Sequence, residues 1–220
     1  MLTMEMQDGI AVIRMDDGKA NAFSNAMFDA LEPALDQAER DAAATVLVGR
    51  PGVFSGGFDL KVVGGSDIAA RDALVMRGCR HAYRLYNFGK PLVAAATGHA
   101  IALGGVTLLA CDTRIGGRGD FKFGLNETAI GMVLPAPILE MVRDRLAKDK
   151  VTEAAIQARI YDAEGAVEAG FLDKVVDAAQ VETVAIETAR KLGEMPSDSY
   201  AGMKRSFRAP ALKAIKAALG

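Results

Sequence analysis

Apolar and polar positions alternate along residues 4–15, with Asp8-Gly9 in the middle of the run. Such a dipeptide is a strong hairpin signal, so two short strands are expected on either side of it. From Ser24 the period changes. Met27, Leu31, Ala34, Leu35 and Ala38 share one side of a helix that Ser24 can cap and that runs to about residue 40. Residues 45–49, TVLVG, read as a short apolar strand, and residues 50–57 as a Pro/Gly-rich loop at its carboxyl end. A long helix is expected over residues 69–88, with Leu74, Cys79, Ala82, Leu85 and Tyr86 on its apolar face, ended by Lys90-Pro91. Residues 92–96 form the next strand, 98–105 a glycine-punctuated turn, and 106–111 a buried helix. Short extended pieces follow at 114–116 and 121–123.

This order of strand, turn and helix describes an α/β layer with crossovers. Ligands in such folds sit outside the carboxyl ends of the strands, which is where both glycine loops fall. After Gly131 the character changes. Pro135 and Pro137 can open a helix carrying Ile138, Leu139, Met141 and Val142. Further helices are expected at 152–159, 163–169, 179–192 and 199–218, interrupted by an extended piece at 174–176. The chain therefore divides into an α/β core, residues 1–134, and a helical region, residues 135–220, that packs on the core or on a neighbouring subunit.

Composition narrows the function classes. The 220 residues are 50% apolar and 25% charged, as in an ordinary globular domain large enough for a sizeable core. The net charge of -2 gives no pull toward nucleic acid, although a local patch leaves an anionic small molecule open. Cys79 and Cys111 stand far apart in hydrophobic surroundings and read as buried thiols, without the spacing of a metal or redox site. The N-terminus has no basic segment followed by an apolar run, and the apolar runs are too short for a bilayer span. A cytoplasmic address is the default expectation.

The chemistry concentrates in FKFGLNETAIG, residues 121–131, where Glu127 is the lone carboxylate among Phe121, Phe123, Leu125, Ala129 and Ile130. A carboxylate held there is partly desolvated, which raises its pKa and makes it a better base near neutrality. FSGGFDL (54–60) and GHAIALGG (98–105) are glycine loops able to turn backbone N–H groups inward. The N–H groups of a helix's first turn favour an oxygen that gains negative charge. A base plus an amide cradle suffices to move a proton next to a carbonyl without metal or redox cofactor. His99 could act as a base but lacks a nucleophile partner and reads better as structural. Asp59 and Asp112 read as caps or internal ion pairs, and Asp16 and Asp17 as turn residues.

Together these segments resemble the crotonase superfamily, the enoyl-CoA hydratases and isomerases. The likeness spans residues 4–192 and rests on five motifs in order: NAFSNAM (21–27), FSGGFDLK (54–61), KPLVAAATGHAIALGG (90–105), CDTRIG (111–116) and FGLNETAIGMVLP (123–135). The resemblance implies a spiral of ββα units, a C-terminal helical trimerisation region, and homotrimers or dimers of trimers. It implies an acyl-CoA thioester as substrate, CoA entering as part of that substrate and not as a cofactor. No metal, nucleic acid or membrane partner is implied. The thioester oxygen would be held by the N–H groups of Phe58 and Leu103. Gly56, Gly57, Asp59, Leu60, Lys61 and Gly104 would be binding positions, with Lys61 near the adenine.

The departures from the family pattern are informative. The family's hydratases use two glutamates. One corresponds to Glu127, but the other falls, counting back from Asp112, on Val106. Leu103 stands where a glycine is usual. GLNET followed by IG looks most like the single-glutamate Δ3,Δ2-enoyl-CoA isomerases. An isomerase using Glu127 is thus the leading expectation. A hydratase or other thioester chemistry, drawing a second carboxylate such as Glu140 or Asp120, is the alternative, and a non-catalytic acyl-CoA binder is a third. Lys204 and Arg205 read as solvated surface cations, with a contact to a CoA phosphate as the alternative.

Overall fold

The computed structural model describes residues 2–220. In chain order the strands are β1 (Leu2–Gln7), β2 (Ile10–Met15), β3 (Ala44–Val48), β4 (Gly52–Ser55), β5 (Leu92–Ala96), β6 (Gly98–Ile101), β7 (Thr113–Arg118), β8 (Phe123–Gly124), β9 (Ile160–Tyr161) and β10 (Lys174–Asp177). The α-helices are α1 (Asn25–Asp41), α2 (Leu60–Val63), α3 (Ile68–Tyr86), α4 (Leu103–Ala110), α5 (Ala136–Arg145), α6 (Ala163–Ala169), α7 (Val181–Gly193), α8 (Ser197–Phe207) and α9 (Ala209–Leu219).

Several elements follow from local chemistry as expected. β1 and β2 form an antiparallel hairpin around Asp8-Gly9. Ser24 caps α1, accepting from the Met27 N–H at 3.2 Å. β5 occupies residues 92–96 and α3 nearly all of its expected span. In the first half of the chain two expectations fail. The loop at 50–57 and the turn at 98–105 contain strands, β4 and β6, and α4 begins at Leu103. Their Gly/Pro-rich composition reads as loop because each strand is only four residues long and pairs with a strand remote in sequence. Thr97 Oγ1 donates to the Arg50 carbonyl at 2.7 Å and ties the two corners where the chain leaves β3 and β5.

The result is two sheets. The first has the order β1-β2-β3-β5-β7-β10, parallel except for the first pair; the second has the order β4-β6-β8-β9, parallel except for the last. Successive pairs β3-β4, β5-β6 and β7-β8 each place one strand in the first sheet and one in the second, and a helical segment follows. This is a ββα spiral. β3 and β5 are wholly buried, as their almost wholly apolar sequences, broken only by Thr45, require of a sheet covered on both faces.

Residues 135–220 contribute more than an outer helical layer. β10 pairs with β7 as the last strand of the first sheet. Val181, Ala185 and Ala189 of α7 pack on Val46, Val48, Val93 and Ala95 of that sheet. α9 packs against α5 and α3. The single helix expected over 199–218 is two, α8 and α9, divided at Arg208, because Pro210 in the first turn of α9 has no N–H to continue α8. The π-helical turn Thr152–Ile156 stands where a longer helix was expected. Among the described residues no helix is long and apolar enough to cross a membrane.

A buried ionic cluster fastens the C-terminal helices to the core. Asp112 pairs with Lys204 at 2.6 Å and Arg208 at 3.0 Å, and accepts from the Leu92 N–H at 2.9 Å. The Lys204 amine also donates to the carbonyls of Phe88 and Lys90, both at 2.8 Å. Its donors are thus spent inside the protein, and Lys204 is an anchor, not a surface group for a phosphate. Cys79 and Cys111 are buried, and burial pushes their thiols up to about 11 and about 12. Removing one member of such a cluster strands the others. Asp112→Ala is expected to cost about 3–5 kcal/mol in urea unfolding; a loss below about 1 kcal/mol would show that the cluster does not hold the helices.

Candidate active site

Three neighbouring parallel strands of the second sheet, β4, β6 and β8, deliver one candidate residue each from their carboxyl ends. Phe58 follows β4, Leu103 follows β6, and Glu127 follows β8. All three line one cavity of about 130 Å³.

The first two arrive through turns that touch. Gly57 has φ +93, and a Cβ on it would lie 2.8 Å from Ala102 Cβ and 3.3 Å from Leu103 N. Only a residue without a side chain permits that approach. Across the contact Ala102 has φ 54 and ψ -125, a conformation strained for a residue with a Cβ, as often found at functional sites. Phe23 N–H donates to the Gly57 carbonyl at 2.8 Å and Asp59 N–H to the Phe23 carbonyl at 3.3 Å. These bonds pin the residues on both sides of Phe58. The N–H of Phe58 and that of Leu103, the first amide of α4, donate to no acceptor among the described residues. Two unpaired amides therefore belong to the walls of one cavity, and such amides favour an oxygen that gains negative charge.

Glu127 opens the short 3₁₀ turn Thr128–Ile130. Its carbonyl accepts from Met132 N–H at 2.9 Å and Ile130 N–H at 3.1 Å, which fixes the backbone. The residue is 9% exposed, and Oε2 has no hydrogen-bond partner. Burial raises its pKa above the usual 4.5, while the amides of Glu127 and Asn126 pull the other way with less effect. Among the described residues it is the only carboxylate on the cavity wall, and Val106 is part of the same wall. Asp120 and Glu140 do not line the cavity, and Glu140 pairs with Arg143 at 2.5 Å. Among the described residues no group of three or more His, Cys, Asp or Glu side chains could hold a metal.

The other expected positions separate. Gly56 and Leu60 border both the cavity and an adjoining open groove of about 350 Å³. Asp59, Lys61 and Lys19 line the groove only. Asp59 also caps α2, accepting from the Lys61 N–H at 3.0 Å. Gly57 forms the junction of the two turns, and Gly104 lies behind the cavity against the Ser55 backbone. His99 is absent from the wall. Its Nδ1 accepts from the Lys122 N–H at 3.0 Å and its ring meets the edge of Phe121, a structural role. Sequence reasoning missed Asn126, whose Oδ1 is buried without a partner on the cavity wall. Its one visible signal was a polar residue beside Glu127 in an apolar stretch. Pro135 and Ile138, from the helical region, also close the wall.

The chain belongs to the enoyl-CoA hydratase/isomerase family, whose pattern it matches over residues 5–219. This places it in the crotonase superfamily, and its fold is that of the superfamily. It is similar to the apo structure of a Mycobacterium tuberculosis enoyl-CoA isomerase, with 39% identity and a TM-score of 0.94 over 99% of this chain and 95% of that one. It is similar also to an enoyl-CoA hydratase, EchA3, from Mycobacterium ulcerans, with 38% identity and a TM-score of 0.95 over 99% and 96% of the two chains. In sequence it is 31% identical to a probable enoyl-CoA hydratase, echA17, of Mycobacterium avium, over 89% of this chain and 77% of that protein.

The raised pKa of Glu127 has a consequence for stability. A carboxyl whose folded pKa exceeds its unfolded value holds its proton more tightly in the folded state. It favours folding at acid pH, and this contribution is lost as pH rises through the folded value. Glu127→Gln is therefore expected to resist urea better than the natural protein at about pH 8, with the difference shrinking toward pH 4.5. A variant less stable at the higher pH would contradict a desolvated carboxylate.

Proposed function

We propose that this enzyme shifts the double bond of a 3-enoyl-CoA to give the 2-enoyl-CoA, with Glu127 as the only proton carrier. The observation that carries this reading is a single carboxylate on a wall that also bears Val106. Glu127 takes a proton from C2 of the thioester. The electron pair spreads over a dienolate, and the thioester oxygen accepts from the N–H groups of Phe58 and Leu103. The Glu127 carboxylic acid then returns the proton at C4. One proton leaves and one arrives, and no water is consumed. A pKa raised by burial suits a group that must act first as base and then as acid near neutrality. The groove at Lys19, Asp59 and Lys61 adjoins the cavity and is the site proposed for the CoA moiety.

Hydration of a 2-enoyl-CoA is the second reading, favoured by the hydratase names of similar proteins. It requires a second group to hand water and proton across the double bond, and Val106 cannot do so.

Chromatography that resolves the double-bond isomers, with mass detection, after incubation with a 3-enoyl-CoA and, separately, a 2-enoyl-CoA separates the two. An isomer of unchanged mass from the first and no water gained by the second is the expected outcome; efficient hydration of the second would overturn it. Glu127→Gln should lower isomerisation by about 10³-fold and still bind the thioester. The proposal extends to a homotrimer or dimer of trimers. Met203 and Phe207 of α8, 69% and 85% exposed, offer an apolar surface for a second copy. Sedimentation showing only monomer at micromolar concentration would contradict the assembly.

A further inference from the structure

Gly78 is buried in the middle of α3, where glycine weakens a helix relative to alanine. Its surroundings give a reason for it. A Cβ built on Gly78 would lie 2.5 Å from both Cε1 and Cζ of Phe58 and 3.0 Å from Cδ2 of Leu103. Ordinary contact begins at 3.4 Å, so the ring would have to move by most of an ångström. The notch on α3 thus receives the side chains of two residues that come from different turns. They are the same two whose backbone N–H groups lack acceptors beside the cavity.

We propose that Gly78 is a positioning residue for the amide pair. The two turns meet once through their backbones, at Gly57 and Ala102, and a second time through their side chains, on the bare face of α3. Two points of contact fix the direction of each amide where one would leave a pivot. The inference rests on the reading of these amides as holders of the thioester oxygen. A misplacement of about 1 Å in such an arrangement can lower a rate by about 10²-fold, even when the substituted residue never touches the substrate.

The test reads the amides directly. Saturated hexanoyl-CoA, labelled with carbon-13 at the thioester carbonyl, is bound to the protein and followed by difference infrared spectroscopy. In the natural protein the two N–H donors polarise the carbonyl and displace its band to lower frequency. Gly78→Ala is expected to lose at least about half of that displacement, to lower kcat about 10–100-fold, and to change KM by less than about threefold. In a Phe58→Ala background, which keeps the N–H and removes the ring, Gly78→Ala should make much less further difference, because the severe clash at 2.5 Å is gone and only the milder 3.0 Å contact with Leu103 Cδ2 remains. That comparison still reads the contact if the single Gly78→Ala variant does not fold.

Full displacement and undiminished kcat in Gly78→Ala overturn the proposal. An equal loss with and without the Phe58 ring does so too, since the effect would then be general damage to the helix. A displaced band in the natural protein without turnover of a 3-enoyl-CoA overturns the isomerase reading, and the Gly78 comparison still stands. No displacement in the natural protein removes the amide pair and this inference with it.

Discussion

The contact between the turn after β4 and the turn after β6 is the constraint on which the site depends. Gly57 lies against Ala102 and Leu103 N with no room for a side chain, and Ala102 holds a strained conformation on the other side. The strain persists because neighbouring bonds determine it. Ala102 N–H donates to the Gly124 carbonyl of β8 and its own carbonyl accepts from Val106 N–H, both at 3.0 Å. The same sheet that joins the turns also carries Glu127 at the end of β8. The ββα repeat thus converts three local strand ends into one cavity with two unpaired amides and one buried carboxylate.

Electrostatics gives the cavity its asymmetry. A buried carboxylate with one unpartnered oxygen, in a mostly apolar wall, disfavours its own charge, and an unpaired amide favours negative charge arriving on a ligand. A site of this kind is poised to take up a proton on one group while anionic charge appears beside the other. The cost of burying Glu127 with Oε2 unpartnered is borne by a fold with large cores on both faces of its first sheet and a clustered ionic anchor at Asp112.

Where the determining chemistry lay within a few residues, the sequence announced it. Asp8-Gly9 marked a hairpin, Ser24 a cap, and the apolar context of Glu127 its burial. The five ordered motifs led to the family. β4 and β6 were not legible, because four-residue strands, each opened by a glycine and set in Gly/Pro-bearing turns, acquire their identity from partners contributed by other repeats. Lys204 looked like a surface cation because its acceptors, the carbonyls of Phe88 and Lys90, are remote in sequence. Gly78 carried no local signal at all. Its meaning depends on Phe58 and Leu103, which reach it only after both turns have folded.

The account is tested most directly by the dependence of kcat/KM on pH for a 3-enoyl-CoA, followed from about pH 4 to about pH 9. A single group acting as base predicts one rising limb, with an apparent pKa above the usual glutamate value of 4.5, and no falling limb up to the highest pH. A bell-shaped profile would require a second ionising group, and a rising limb that survived in Glu127→Gln would assign the base to another residue. Either result would contradict a mechanism built on one carboxylate.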